Sequence, residues 1–254
     1  MLIHEEPFVD LATPTGPMRT YLYRPLSPQG TRTPDTPARF PGVVLYSEIF
    51  QRTGPIHRMA QLVAGHGFVV AVPEIFHELE AAGTVLAYDG PGAERGNADK
   101  LGKPVTAYDA DARAVLDHLA ASPHCTGKLG AMGVCIGGHL AFRAALHADV
   151  LATACFYATD LHKGSLGQGG DDSLLRAKDI RGELMMVWGR QDPHIPDEGR
   201  AAIQRRLVEA GCVFSWHEHN GQHAFLRDEG PRYDPALAMT SYAMVIDFFH
   251  RCLR

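Results

Sequence analysis

Residues 129–138 read Leu-Gly-Ala-Met-Gly-Val-Cys-Ile-Gly-Gly, an apolar run closing on Gly133, Cys135 and Gly137. A Gly-x-nucleophile-x-Gly turn between a strand and a helix lifts one side chain above the sheet. The glycines are required because the turn is too tight for neighbouring side chains. A thiol placed there sits at a helix N-terminus, where the dipole favours its ionised form and the amide of Ile136 can hold an oxyanion. The alternative is a buried structural cysteine beside a glycine packing contact, and possible partners for the sulfur bear on the choice. Asp192 follows a later apolar run in Gly189-Arg-Gln-Asp192-Pro-His-Ile-Pro196, and His223 follows the next in Asn220-Gly-Gln-His223-Ala-Phe225. Taken singly, Asp192 could be a turn former before proline, and His223 is one of fourteen histidines. Together they follow the order nucleophile, acid, base. The chemistry implied is acyl transfer, in which sulfur attacks a carbonyl, a thioester forms, and water activated by the imidazole releases the acid.

Such a constellation needs a scaffold that brings distant loops to one edge. Alternating stretches at 3–11 and 18–23 open the chain, and a Pro/Thr/Ser-rich loop spans 25–41. Strands are then predicted at 43–46, 68–72, 129–134, 151–157, 183–188 and 213–217. Helices are predicted from the apolar face of Ile56, Met59, Ala60 and Val63, and over 105–121, 136–147, 199–210 and 235–253. Residues 74–104 show little periodicity and are expected to form a lid or pocket-shaping segment. This rhythm predicts an α/β fold, a mostly parallel central sheet with helices on both faces, in a single domain over 1–254. Ligands of such sheets bind beyond the carboxyl ends of the strands, where Cys135, Asp192 and His223 all fall.

Composition narrows the function classes. A chain of 254 residues with 45% hydrophobic and 21% charged residues can bury a sizeable core. Its net charge of −5 gives no broad reason to bind nucleic acid or an acidic membrane. No apolar run approaches the roughly 18 residues of a membrane span, and the N-terminal residues lack the pattern of a secretory signal. The five cysteines are scattered and lack Cys-x-x-Cys spacing, so a reducing cytoplasm is expected rather than a disulfide framework or zinc ribbon. No cofactor or metal is expected, and the partner is a small molecule bound by a monomer or homodimer.

The chain resembles the dienelactone hydrolase family, cysteine-dependent enzymes of the α/β-hydrolase fold. The resemblance rests on Ser47-Glu48-Ile49-Phe50, the 133–138 elbow, the Asp192 loop, and Gln222-His223-Ala224-Phe225-Leu226-Arg227. It implies hydrolysis of an activated ester or lactone of the carboxymethylenebutenolidase type, with Cys135 as nucleophile, His223 as base and Asp192 as its orienter. It further implies that Glu48 touches the resting thiol, that the amide of Ile49 is the second oxyanion donor, and that Arg227 anchors a substrate carboxylate. A negative Glu48 would oppose the thiolate, which suggests a nucleophile held quiet until a ligand moves that carboxylate. Where the family carries a second arginine, this chain has Pro73-Glu-Ile-Phe-His77-Glu78, so two-point anchoring is not expected. Tyr88 is a candidate pocket residue, and Tyr157 reads either as a pocket wall or hydroxyl donor or as a core tyrosine.

Three other readings use the same residues. A glutaminase also carries Gly-x-Cys-x-Gly but needs a His with Glu two places on, and His217 is followed at that place by His219. A metal-dependent hydrolase could gather His217, His219 and His223 around zinc. A ligand binder or redox sensor could keep Cys135 and the pocket without hydrolysing anything.

Overall fold

A computed structural model describes residues 3–26 and 38–254. Nine strands form one sheet: β1 (Ile3–Glu5), β2 (Val9–Thr13), β3 (Gly16–Pro25), β4 (Phe40–Tyr46), β5 (Val69–Pro73), β6 (Cys125–Val134), β7 (Val150–Phe156), β8 (Glu183–Gly189) and β9 (Phe214–His219). The order is β1-β3-β5-β4-β6-β7-β8-β9, with β2 beside β3. Pairing is antiparallel through β3 and parallel from β5 onward. The mostly parallel sheet of the α/β-hydrolase class is therefore present. The stretch expected at 3–11 is two strands, and most of the 25–41 loop lies outside the described residues.

Among the described residues there are six α-helices, the last following β9: α1 (Gly54–Gly65), α2 (Gly90–Gly102), α3 (Val105–Ala121), α4 (Ile136–Ala144), α5 (Asp197–Glu209) and α6 (Pro235–Cys252). Two glycines show that they cover both faces. Gly42 is paired with Leu129, and a side chain on it would meet Leu119 of α3. One step along, Gly130 would meet Phe249 of α6 and Leu253. Successive residues of a strand point to opposite faces, so α3 and α6 lie on opposite sides of the sheet. The strands between them are buried almost throughout, as their unbroken apolar runs require.

The structure adds α2 to the 74–104 segment. Its composition, with Gly at 90, 92, 96 and 102, disfavours a helix. Asp89 compensates at the N-terminus, its side chain accepting from the Gly92 N–H at 2.8 Å, and Pro91 fits the first turn. Gly96 is needed for packing, since a Cβ there would lie 2.5 Å from the Ile49 carbonyl oxygen. The helix can thus lie directly on the loop after β4. Among the described residues no helix is long and apolar enough to cross a membrane.

Candidate active site

Cys135 stands between β6 and α4 with φ 60° and ψ −125°, a conformation costly for a side-chain-bearing residue. The surroundings leave no alternative turn. A Cβ on Gly133 would sit 2.0 Å from the Gly137 oxygen, and one on Gly137 would sit 2.3 Å from the Tyr46 oxygen. The Cys135 N–H donates to Phe156 O at 3.1 Å, and its carbonyl accepts from Thr159 N at 3.2 Å, tying the elbow to β7 and the loop beyond it. Gln51, Tyr157, Asp160 and Ala224 also have positive φ, and like Cys135 they occupy loops around this site. Such strain persists only where packing over-determines the backbone.

Asp192 and His223 come from the loops after β8 and β9, which are held together by Arg190 N to His219 O (2.8 Å) and Gln191 N to Gly221 O (2.9 Å). The His223 Nδ1 donates to Asp192 Oδ2 at 2.6 Å, and the other carboxylate oxygen accepts the His194 N–H at 2.8 Å. Asp192 is thereby satisfied while buried, and each such charge-assisted bond contributes about 1.5–3 kcal/mol. Burial opposes a charge on the His223 ring, but its electrostatic interaction with the Cys135 sulfur and hydrogen bonds to Asp192 and Cys135 outweigh it, pushing the ring's pKa up to about 10. The imidazole thus has the sulfur on one side and the carboxylate on the other, and both favour its charged form.

Two rings clamp that imidazole edge-on: Tyr157 at 5.1 Å between centroids and His194 at 4.6 Å. Of the two readings of Tyr157, the core tyrosine holds: it is fully buried and does not line the cavity, and its ring packs between His223 and Phe225. His194 does line the cavity, and burial lowers its pKa, with the nearby His223 charge acting in the same direction. Its place two residues beyond Asp192, past the end of a strand, was a usable sequence signal.

The cavity holds about 310 Å³, and Cys135, His223 and Ile49 are among the residues that line it. The Ile49 N–H has no acceptor among the described residues. The Ile136 N–H, first in α4, has no intrahelical acceptor. Glu48 and Tyr88 also line the space, as does Arg227. The Tyr88 hydroxyl donates to Glu48 Oε2 at 3.1 Å, and Arg227 Nη1 lies 3.8 Å from the same oxygen. The Arg227 guanidinium stacks 4.4 Å from the Tyr88 ring centroid. Burial raises the Glu48 pKa above its ordinary value, against the pull of Arg227.

His77 and Glu78 do not face this cavity. Lys103 donates to Glu78 Oε2 (2.8 Å), to Ile75 O (3.0 Å) and to Asp111, while His77 Nε2 lies 3.1 Å from Asp111. The ammonium compensates that buried acidic cluster, a structural role. The cavity has other cations that the sequence analysis did not single out: Lys100, Lys163 and Arg232. They sit on α2 and on loops, where no periodicity marks a residue as facing a site.

The residues do not favour a metal. Among the described residues His217, His219 and His223 form no close group, because His223 turns to Asp192. Asp192, His194 and His223 do bring ligand atoms within 4.8 Å of one another, yet the Asp192 carboxylate is already engaged by His223 and the His194 amide. The similar group of His77, Glu78 and Asp111 already receives the Lys103 charge.

The chain belongs to the dienelactone hydrolase family, which matches residues 30–253. It is a hydrolase of the carboxylic ester and lactone type. A Saccharomyces cerevisiae protein named provisionally as a carboxymethylenebutenolidase is 40% identical, covering 100% of this chain and 94% of the relative. The carboxymethylenebutenolidase of Pseudomonas sp. strain P51 is 28% identical, over 84% of this chain and 85% of its own. A Klebsiella pneumoniae structure described provisionally as a dienelactone hydrolase superposes with a TM-score of 0.83 at 20% identity, covering 99% and 100% of the two chains. At that identity it speaks for the fold alone.

Proposed function

We propose that Cys135, His223 and Asp192 form the catalytic triad of this hydrolase. The observation that carries the reading is the His223 ring set between the Cys135 sulfur, to which it is hydrogen-bonded, and the 2.6 Å Asp192 contact. The sulfur attacks the carbonyl carbon of the ester or lactone, and the carbonyl electron pair moves to oxygen, which the Ile49 and Ile136 amides receive. Each such donor contributes about 3 kcal/mol to the transition state. Collapse expels the alkoxide, which takes a proton from His223 and leaves a thioester. The ring, now neutral, accepts a proton from water. The resulting hydroxide attacks the thioester, and thiolate and carboxylic acid are released.

The substrate is a small activated ester or lactone of the kind for which the named relatives are called carboxymethylenebutenolidases. Arg227 holds a carboxylate on it, and the 74–104 segment, with Tyr88 and α2, shapes the pocket. A panel of lactones and short-chain esters assayed on wild type and Cys135→Ser together tests this reading. The expected result is that both classes are turned over through sulfur and fall together, by about 10³-fold or more, when oxygen replaces it. A substrate whose turnover survives the replacement would place its chemistry elsewhere.

Glu48 gates the thiol in this scheme. A buried carboxylate near the site disfavours the thiolate while charged; a ligand carboxylate that took up Arg227 would remove the counter-charge that keeps Glu48 ionised, so that Glu48 takes a proton or moves and its opposition to the thiolate ends. Glu48→Gln is expected to raise the rate of Cys135 alkylation by iodoacetamide about tenfold in the absence of ligand. An unchanged rate, with and without a carboxylate ligand, would contradict gating.

A further inference from the structure

The cavity contains more positive charge than its own carboxylates use. Asp89 is engaged by the Gly92 N–H and Asp160 by Lys100 at 2.8 Å, while Glu48 faces Tyr88 and Arg227. Lys163 and Arg232 line the same space, are exposed, and have no ion-pair partner among the described residues. Neither is on a loose strand of chain. Lys163 donates its N–H to Asp160 O at 3.0 Å, and the turn after it is fastened by Asp171 N to Gly164 O (2.9 Å) and Leu166 N to Asp171 Oδ2 (2.8 Å). Arg232 lies on the loop between His223 and α6, five residues past Arg227, and that loop is closed by Asp234 N to Phe225 O at 3.1 Å.

We propose that Lys163 and Arg232 form a second anion subsite at the cavity mouth, so that the preferred ester or lactone carries a negatively charged group in addition to the one facing Arg227. The inference rests on the hydrolytic reading above and specifies its substrate class as dianionic. Arg232 supports it from a second direction, since its positive charge is felt by both Glu48 and His194. About 310 Å³ is at the lower end of small-molecule pockets, yet more than an acetyl group fills. Because both cations are exposed, water and salt screen them, and the preference should be moderate and ionic-strength dependent.

The test compares 4-nitrophenyl monoesters of three acids on one enzyme: valerate (neutral), glutarate (one free carboxylate) and tricarballylate (two). A fourth ester with a phosphonate in place of the second carboxylate distinguishes the carboxylate and phosphate sources of the charge. In wild type, kcat/KM should rise about tenfold from the glutarate to the better of the two dianionic esters, mainly through KM. The Lys163→Ala/Arg232→Ala double variant should lose that ratio. The ratio is taken within one enzyme, so partial misfolding of the variant cancels. The subsite is disproved if wild type shows no dianion preference, or if the double variant retains it. Turnover of the neutral ester that depends on Cys135, without any dianion preference, would sink the subsite alone and leave the triad standing.

Discussion

Cys135→Ala is expected to lower kcat/KM for 4-nitrophenyl acetate by about 10⁵- to 10⁶-fold, to a residual rate due to binding and the oxyanion donors alone. The magnitude follows from the position of the sulfur. It is set on a strained elbow above the sheet, beside the His223 ring, and lines the cavity. A methyl group removes the attacking atom without touching the glycine contacts that shape the turn, so the fold should persist. Steady-state rates beside a thermal unfolding curve check both statements. A folded variant that retains activity within a hundredfold of wild type would move the nucleophile to another residue.

Asp192→Asn is expected to cost on the order of 10²- to 10⁴-fold in kcat/KM, a large effect from an isosteric change. Both Asp192 oxygens accept hydrogen bonds, one from His223 Nδ1 and the other from the His194 amide. An asparagine has one acceptor and one donor to offer them. With its oxygen toward His194, its NH₂ faces Nδ1 and favours a neutral ring protonated on Nε2. With its oxygen toward His223, two donors collide at the His194 amide. In wild type, the charged His223 ring contributes stability that is full below its ordinary pKa of 6.5 and is lost as pH climbs through about 10. The variant should move that loss to lower pH, which a titration of the His223 ring by NMR would detect. A ring that titrates as in wild type, with unchanged kcat/KM, would show that Asp192 neither orients nor charges it.

The parts of this site that were legible in sequence are those fixed by local sterics and by strand order. Gly133 and Gly137 are glycine because backbone oxygens occupy the space of a Cβ, and that requirement stands directly in the motif. Asp192 and His223 were found because both follow apolar strands of one parallel sheet. Other features depended on tertiary packing. The helix α2 forms against its own propensity because Gly92 and Gly96 let it close on neighbouring backbone, with Asp89 capping it. His77 and Glu78 lie beyond the end of β5, where ligand residues were expected, yet the distant Lys103 draws them into a buried cluster. Tyr157 also follows a strand, but its backbone, at φ 37°, accompanies a ring buried behind His223 rather than one facing the pocket. Lys163 and Arg232 lie on turns that no periodic pattern orients.

The most direct measurement is mass spectrometry of the protein quenched in acid during turnover of 4-nitrophenyl acetate, with the acylated peptide sequenced. One acetyl group on Cys135 in wild type, and none anywhere in Cys135→Ala, is the predicted result. Acetyl found reproducibly on a different side chain at turnover-competent rates, with Cys135 unmodified, would contradict it.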